Sequence, residues 1–296
     1  MRFGIIEVGS TTTKAYLYDK GYLKDLGSRY IPFKTNYKTD GKLRENDVES
    51  LYSFVDEVLC KTKDVHVFGT SIFRNLKDDE REKFLADFLD NYGFDFRIVT
   101  ADEESLYTVK GVLSRIDYQK RMAVAIGGGG STEIAIIDKG EIVKRLNLPF
   151  GAMDVTEAFP DLKEDIAKSS FDEILEYTSQ LVGDLDDDVE VLVLAGGNYI
   201  YFYETVGYEM QRNEEYDDDN QPYILPFDMA DAYDRDIMSK SLNDIKKKCP
   251  GNESWWDGAR GMRFCMNAVA RKVRADYIVP TKINMLIGLA DEISKK

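Results

Sequence analysis

The segment AVAIGGGGSTEIAIID (123–138) decides the fold of this 296-residue chain. A short apolar run leads into four consecutive glycines, and Ser131, Thr132 and a second apolar run follow them. Apolar runs of this length on both sides of a glycine turn predict a β-hairpin. A strand follows the turn, so it is neither a Walker A loop nor a dinucleotide fingerprint, which both need a helix there. Its backbone N–H groups and hydroxyls are suited to hold an anion.

The same unit occurs a second time, at the N-terminus. The segment GIIEVGSTTTKAYLYD (4–19) aligns with 123–138 without a gap. The equivalent positions are the turn glycines, the turn hydroxyls and the closing aspartates: Gly9 and Gly128, Thr12 and Ser131, Asp19 and Asp138. Each copy opens one half of the chain, which predicts two similar lobes that face each other across a cleft. The other strand-like runs alternate with segments of helical spacing, so the predicted fold class is α/β.

The repeat also predicts the domain boundaries. We expect an N-terminal lobe over 1–118, which carries the first turn, and a C-terminal lobe over 119–280, which carries the second. We expect the final helix, 281–296, to pack back on the first lobe. The region after the strand-like run VEVLVLAGG (189–197) is predicted to be mostly helical, through ADYIVPTKINMLIGLADEI (275–293).

Composition narrows the function classes. The formal net charge is −15, from 39 basic and 54 acidic residues, which argues against nucleic-acid and membrane-surface binding. No apolar run approaches the roughly 18 residues of a membrane span. The absence of a signal-peptide pattern and the three widely separated cysteines predict a reducing, cytoplasmic location. The single histidine, His66, excludes Ser-His-Asp catalysis and leaves acid–base chemistry to carboxylates, Lys or Tyr.

Seven segments, taken together and in order, resemble the exopolyphosphatase/guanosine-pentaphosphate phosphohydrolase (Ppx/GppA) family of the actin-like ATPase superfold. They are EVGSTTTK (7–14), FGTSIFRN (68–75), DEESLYTVKGV (102–112), GGGGSTEIAII (127–137), LNLPFGAMDVTEAF (146–159), LAGGNY (194–199) and RADYIVP (274–280). The resemblance implies two ribonuclease-H-like lobes with an active site in the cleft between them. It also implies hydrolysis of a terminal phosphoanhydride with Mg²⁺ or Mn²⁺. The implied substrate is small, a short polyphosphate or guanosine pentaphosphate. Whether the protein forms a homodimer is an open question at the level of sequence.

The resemblance assigns roles to individual residues. Glu104 matches the family's catalytic carboxylate, which orients or deprotonates the attacking water, and Arg74 matches the arginine that reaches phosphate. Glu7 matches a position that faces the metal and its waters. Glu133 stands where the family also has Glu, a candidate contact to the metal or to a water, although a satisfied acid at a strand end explains it equally well. Eight residues match the two phosphate-binding turns: Ser10, Thr11, Thr12, Gly128, Gly129, Gly130, Ser131 and Thr132.

Neighbouring positions have structural explanations. Thr100 and Glu103 have the spacing of a helix capping box, so we expect Glu103 to be structural. Gly196 and Gly197 match a third turn of the family's cleft, although a plain turn at a strand end also explains them.

Three positions depart from the family pattern. The family has an aspartate two positions before each glycine turn, where this chain has Glu7 and Ile126. Glutamate also offers carboxylate oxygens to a metal, although its side chain is one methylene longer than that of aspartate, whereas isoleucine cannot bind a metal. The internal alignment shows the same difference, because Glu7 overlays Ile126. The glycine that follows RADYIVP in the family is Thr281 here.

Three functions therefore stay open at the level of sequence. The first is a metal-dependent phosphohydrolase, which Glu104, Arg74 and both turns favour. The second is a catalytically impaired phosphate- or nucleotide-binding regulatory protein, which Ile126 favours. The third is an ATPase that activates another enzyme, because VGSTTTKA (8–15) is close to the first phosphate loop of that group; no clustered cysteines are present for an iron–sulfur centre.

Overall fold

The computed structural model describes residues 1–10, 12–116, 120–185, 187–212 and 223–295. Within them the chain divides into two compact units, Met1–Gly111 with Met285–Lys296, and Val112–Asn284. None of the helices in these residues combines the length and apolar content that crossing a bilayer requires.

Strands and helices alternate through both units. The strands are β1 (Arg2–Val8), β2 (Thr12–Asp19), β3 (Tyr22–Tyr30), β4 (Val65–Gly69), β5 (Phe96–Ile98), β6 (Met122–Gly127), β7 (Thr132–Asp138), β8 (Glu141–Leu148), β9 (Val191–Leu194), β10 (Gln211–Arg212), β11 (Tyr223–Pro226) and β12 (Tyr277–Pro280). The helices are α1 (Phe33–Asp40), α2 (Glu45–Leu59), α3 (Ser71–Arg74), α4 (Asp78–Tyr92), α5 (Ala101–Arg115), α6 (Ala152–Ala158), α7 (Phe171–Val182), α8 (Asn198–Val206), α9 (Phe227–Asp236), α10 (Leu242–Lys247), α11 (Trp256–Lys272) and α12 (Met285–Ser294). Two 3₁₀ turns, Pro160–Lys163 and Glu253–Trp255, complete the set.

The two sheets share one topology. The first unit has the strand order β3-β2-β1-β4-β5. The second unit repeats it as β8-β7-β6-β9-β12 and extends it with β11 and β10. In both units the first three strands form an antiparallel meander, and the next two lie parallel to the first strand. This is the arrangement of a ribonuclease-H-like unit, and each unit carries it once.

The turns of the repeated hairpins are equivalent in their backbone hydrogen bonds. Gly9 N donates to Thr12 O at 3.1 Å, and Gly128 N donates to Ser131 O at 2.8 Å. The next turn also recurs: Lys20 and Gly21 have φ of 50° and 93°, and the residues after Asp138, Lys139 and Gly140, have φ of 51° and 81°. Positive φ at two successive turn residues is the type I′ geometry that suits the twist of a hairpin.

Each unit has its own apolar core. In the first unit, α2 and α4 cover one face of the sheet through residues such as Val55 and Phe88, and α12 covers the other through Leu286 and Leu289. In the second unit, α11 is the central helix, and thirteen of its seventeen residues are buried. Burying a large aliphatic or aromatic side chain contributes about 1.5–3 kcal/mol, so each sheet is stabilised mainly by the helices packed on it.

The prediction of helix through 275–293 is wrong at its start. Tyr277–Pro280 is strand β12, which pairs in parallel with β9 and antiparallel with β11. Ile278 and Val279 are both buried, because this strand lies inside the sheet and both of its faces are covered. A four-residue apolar run has no period that separates a buried strand from a helix. The helix α12 begins only at Met285.

Candidate functional site

The first unit brings Arg74 and Glu104 into contact. Arg74 ends α3, directly after β4, and Glu104 lies in the first turn of α5, directly after β5. Because β4 and β5 are parallel neighbours, both side chains start from the same edge of the sheet. Arg74 Nη1 donates to Glu104 Oε2 at 3.0 Å and to the backbone carbonyl of Val99 at 2.8 Å. The arginine therefore fixes one oxygen of the carboxylate, and the other oxygen has no hydrogen-bond partner among the described residues.

Glu103, unlike its neighbour Glu104, stabilises the start of the helix α5. Its Oε2 accepts from Thr100 N at 2.8 Å, and Glu103 N donates to Thr100 Oγ1 at 3.1 Å. These reciprocal bonds confirm the predicted capping box at the start of α5. The hydrogen bond from Thr100 N holds the pKa of the Glu103 carboxyl below its usual value. Arg97, which donates to Oε1 at 2.6 Å, lowers this pKa further. Glu103 thus anchors the helix turn from which Glu104 projects.

Glu7 is the third carboxylate of this region. It lies next to last in β1, on the sheet face that also carries Phe3 and Ile5. Burial raises the pKa of the Glu7 carboxyl; the charge of Lys14 lowers it, and the charge of Glu104 adds to the rise. Among the described residues Glu7 has no direct hydrogen-bond or ion-pair partner. A partly buried carboxylate without such a partner is suited to bind a cation, because a nearby positive charge stabilises its ionised form.

Two neighbours of Glu7 were not singled out from the sequence. Lys14 is directly opposite Glu7 in the β1–β2 pairing, and its side chain is exposed. Tyr16 lies on the same face two residues further along, and burial raises its pKa to about 12, with contributions from the charges of Asp25 and Glu7. A short hairpin turn fixes the register of the strands it joins, and this was the signal that could have placed Lys14 beside Glu7.

The predicted residues of the first turn are only partly described. Ser10 is partly buried, and its carbonyl accepts from Lys34 N at 2.9 Å, which ties the turn to the start of α1. Thr12 is partly buried at the first position of β2. Thr11, the third predicted residue, lies outside the described residues.

The glycine turn of the second unit presents its N–H groups and turns its carbonyls away. The carbonyls of Gly128 and Gly129 accept from Ala152 N and Met153 N, at 3.1 and 2.7 Å. Among the described residues, the N–H groups of Gly129, Gly130 and Ser131 have no acceptor. Gly129 and Gly130 are also exposed. Three successive free N–H groups, with the adjacent carbonyls occupied, form a nest suited to an anion.

Close packing behind this turn requires glycine at two positions. A Cβ on Gly151 would lie 2.3 Å from Gly128 O, and a Cβ on Gly127 would lie 2.3 Å from the sulfur of Met262. Gly151 also donates its N–H to Asp154 at 2.8 Å, which fixes the start of α6. The turn therefore rests directly on α6 and α11.

Thr132 does not take part in the nest. Its side chain is fully buried, and its hydroxyl donates to Phe150 O at 3.0 Å. The pleat of β7 causes this, because Thr132 points into the core while its neighbours Ser131 and Glu133 point to the other face. We therefore correct its assignment from phosphate binding to packing and leave Ser131 as the hydroxyl of the turn.

Ile126 and Glu133 are directly opposite each other in the β6–β7 pairing. Both are partly buried, and Glu133 has polar contacts with other groups. The equivalent pair in the first unit is Glu7 and Lys14. The acidic residue of the pair is therefore on the first strand in one hairpin (Glu7) and on the second strand in the other (Glu133). The metal-binding roles of both glutamates stay predictions.

The third glycine turn has a structural function. Gly196 N donates to Ile283 O and Gly197 N donates to Thr281 O, both at 2.7 Å. Both glycines have positive φ, 102° and 79°. Thr281 is fully buried, and its hydroxyl lies 3.4 Å from Leu194 O. These groups join the ends of β9 and β12, and the two N–H groups are no longer available to a ligand.

The carboxylates of the first unit are the candidate ligands of a divalent metal. Within the described part of the chain, no cluster of three or more His, Cys, Asp or Glu side chains could hold a metal ion. Mg²⁺ is commonly held by one or two carboxylates together with substrate phosphates and water. The unpaired carboxylate of Glu7, with Glu104 near enough to act on its charge, fits that mode of binding.

The fold is now sufficient for a comparison with known proteins. Two ribonuclease-H-like units, each opening with a β–turn–β hairpin, are the actin-like ATPase superfold, as the sequence predicted. The Ppx/GppA family member of Aquifex aeolicus superposes with a TM-score of 0.79 at 18% identity, over 100% of this chain and 98% of that one. An exopolyphosphatase of Cytophaga hutchinsonii superposes with a TM-score of 0.74 at 16% identity, over 100% and 98%.

The family follows from the sequence comparison. The model of the Ppx/GppA phosphatase family matches residues 30–218, so the chain belongs to this family. A bifunctional 3-dehydroquinate synthase/phosphatase of Fusobacterium nucleatum is 27% identical over 107 residues, which are 36% of this chain. The match spans only 16% of that curated relative's length.

Proposed function

We propose that the chain is a metal-dependent phosphohydrolase that releases the terminal phosphate of a short polyphosphate or of guanosine pentaphosphate. One observation carries the proposal: Arg74 Nη1 lies 3.0 Å from Glu104 Oε2, in the unit that also carries the unpaired Glu7. A phosphate-binding cation, a carboxylate for water and a carboxylate for a metal are the groups that such a hydrolysis needs.

Arg74 can serve the carboxylate and the phosphate together. Its Nη1 is used by Glu104 and Val99 O, and its Nε and Nη2 have no acceptor among the described residues. The guanidinium is planar and presents several N–H groups in a fixed fork. Arg74 would therefore bind a phosphate oxygen through its free edge while it continues to hold Glu104.

Glu104 would orient the attacking water. The water oxygen forms a bond to the terminal phosphorus, and the bond from phosphorus to the bridging oxygen breaks. A proton of the water passes to the carboxylate, and the leaving group departs on the bridging oxygen. The protein positions the water and neutralises charge, because the transition state is loose and needs little covalent assistance.

The remaining groups would hold the substrate. The N–H groups of Gly129, Gly130 and Ser131 would bind phosphate oxygens, and Ser10 and Thr12 would serve the same purpose in the first unit. Glu7 would hold Mg²⁺ or Mn²⁺. When bound, such an ion neutralises phosphate charge and orients the substrate.

Charge favours a short substrate. With a net charge of −15, the protein repels a long polyanion more strongly than a short one. The family name and the exopolyphosphatase of Cytophaga hutchinsonii support the same chemical class. We place the protein in the cytoplasm, where such substrates and reduced cysteines occur together.

The test is release of inorganic phosphate by the purified chain, measured with malachite green. The substrates are tripolyphosphate, long-chain polyphosphate and guanosine pentaphosphate, each with Mg²⁺, with Mn²⁺ or with a chelator. We expect release from the short substrates with either metal and none with the chelator. Absence of release from all three substrates would contradict the proposal.

A second candidate is a phosphate- or nucleotide-binding regulatory protein with impaired turnover. Ile126 favours it, because an isoleucine stands where the family has a metal-facing aspartate. In that case the wild type binds the substrates without releasing phosphate, and Ile126→Asp creates release. Turnover by the wild type in the same assay would rule this candidate out.

A further inference from the structure

A series of unpaired lysines begins beside the first turn of the first unit. Lys34 and Lys38 lie four residues apart on α1, on one face of the helix, and Lys42 follows the glycine that ends it. All three lysines are exposed. Among the described residues, none of their ammonium groups has a hydrogen-bond or ion-pair partner. A chain with a net charge of −15 thus concentrates positive charge along this one helix.

The acidic residue of the same helix is already engaged. Asp40 is the only acidic residue of α1, and Arg44 donates to both of its carboxylate oxygens, from Nε and from Nη2. The hydrogen bond from Arg44 holds the pKa of the Asp40 carboxyl below its usual value. The charge of Asp40 is therefore paired with Arg44 and does not bind the lysines.

Two contacts place the start of α1 beside the proposed site. Lys34 N donates to Ser10 O, in the first turn, at 2.9 Å. The ring centroids of Phe33 and Phe73 are 5.3 Å apart, and Phe73 directly precedes Arg74 in α3. The lysines therefore begin next to the first turn and next to the helix that carries Arg74.

The other end of α1 packs against the segment that follows α3. Lys77 N donates to Tyr37 Oη at 3.2 Å, and Lys77 Nζ donates to Gly41 O at 3.3 Å. Lys77 is itself exposed and adds a positive charge where the helix ends. The eight residues of α1 span about 12 Å, which is the distance over which these charges lead away from the first turn. We call the four side chains the α1 lysine row: Lys34, Lys38, Lys42 and Lys77.

Helix stability explains only part of this row. Lys38 lies in the last turn of α1, where a positive charge interacts favourably with the helix dipole. Lys34 is the second residue of the helix, where a positive charge is unfavourable, and the first turn holds no acidic residue to offset it. The position of Lys34 thus lowers the stability of the helix, and binding of an anion explains it better.

We propose that the α1 lysine row binds the phosphates of a linear polyphosphate beyond its reacting end. The proposal rests on the terminal phosphate lying at Arg74 and the first turn, as proposed above. A polyphosphate that continues along α1 meets the lysines one after another, and they offset the repulsion by the net charge of the protein. Guanosine pentaphosphate carries its phosphates on two positions of the ribose and has no such continuous chain. The row therefore favours linear polyphosphate over the nucleotide as the substrate.

The test is isothermal titration calorimetry of the full-length protein with tripolyphosphate and with long-chain polyphosphate. A chelator is present, so that no phosphate is released during the titration. The row variant combines Lys34→Gln, Lys38→Gln and Lys42→Gln. It should bind long-chain polyphosphate about tenfold more weakly than the wild type, the combined effect of three exposed ion pairs. Its affinity for tripolyphosphate should fall only about twofold, because a short chain reaches only the start of the row.

A matched control removes three charges elsewhere in the first unit, by combining Lys20→Gln, Lys24→Gln and Lys63→Gln. These lysines are exposed, and their ammonium groups have no partner in the described part of the chain. Lys20 follows β2 and Lys63 precedes β4, at the edge of the sheet opposite the first turn. The control should bind both ligands as the wild type does. Added KCl should weaken long-chain binding more steeply for the wild type than for the row variant.

Three results would overturn the proposal: wild-type affinity of the row variant for long-chain polyphosphate, an equal loss of affinity in the control, or an equal loss for both ligands. The second would show a general effect of net charge, and the third would place the lysines at the reacting end. The malachite-green assay tests the proposed hydrolysis separately. Binding of long-chain polyphosphate through the row, without phosphate release in that assay, would contradict the hydrolysis and support the binding surface.

Discussion

Glu7 is the residue at which the proposed metal-binding role and the stability of the fold are in conflict. Its pKa is raised in the folded protein, first by burial and then by the charge of Glu104. The folded state therefore binds the Glu7 proton more tightly than the unfolded state does. The free energy of unfolding falls as pH rises from the unfolded pKa to the raised folded pKa, and the loss stays constant above that range.

Glu7→Gln should consequently stabilise the protein at neutral pH. Glutamine is neutral and nearly the same shape, so the free energy of unfolding at pH 7 should rise, because the variant no longer carries a charge that burial disfavours. Below the unfolded pKa, near pH 4, the gain should disappear. Thermal melting by circular dichroism at both pH values measures the difference.

The exposed helix residue Glu49 provides the control, because Glu49→Gln removes the same charge without relieving burial. A gain for Glu7→Gln that is the same at pH 4 and pH 7 would show that the carboxyl is not destabilised by its charge. Loss of phosphate release in Glu7→Gln, together with this gain, would support the metal-binding role.

At the scale of elements, the sequence predicted the two hairpins because each has a glycine turn between two apolar runs, and the gapless alignment matched them residue by residue. It did not predict β12, because four apolar residues fit a buried strand and a helix equally well. It also misassigned Thr132, since a difference of one position along a strand reverses the face of the side chain.

The helix α11 carries two glycines, Gly258 and Gly261, that differ in how closely they approach α6. A Cβ on Gly261 would lie 2.5 Å from Ala152 O and 2.6 Å from Thr156 Oγ1, whereas a Cβ on Gly258 would lie 3.7 Å from its nearest neighbour. Gly261→Ala should therefore push α6 away and lower the free energy of unfolding by about 1–3 kcal/mol. Gly258→Ala should raise it by about 0.5–1 kcal/mol through helix propensity.

Urea denaturation followed by tryptophan fluorescence is suited to both variants, because Trp255 and Trp256 lie at the start of the same helix. Gly261→Ala should also weaken pyrophosphate binding, since Ala152 and Met153 support the glycine turn. Equal stability of the two variants would contradict the close packing described here.

At the scale of the molecule, the net charge argues against nucleic acid and membrane as partners, which stays a prediction, and the order of the motifs predicted the family. The sequence did not predict which side chains meet. Arg74 and Glu104 are 30 residues apart, and their contact depends on the parallel pairing of β4 with β5.

The proposed function depends above all on Glu104 as the carboxylate that acts on the water, and a comparison with its neighbour Glu103 tests this role. Steady-state phosphate release from tripolyphosphate with Mg²⁺ should be measured for Glu104→Gln and Glu103→Gln. We expect Glu104→Gln to lower kcat by about a hundredfold or more. Glu103→Gln should leave kcat near the wild-type value and lower only the melting temperature, since it weakens the cap of α5. Wild-type kcat in Glu104→Gln, or an equal loss of kcat in both variants, would show that Glu104 does not act on the water.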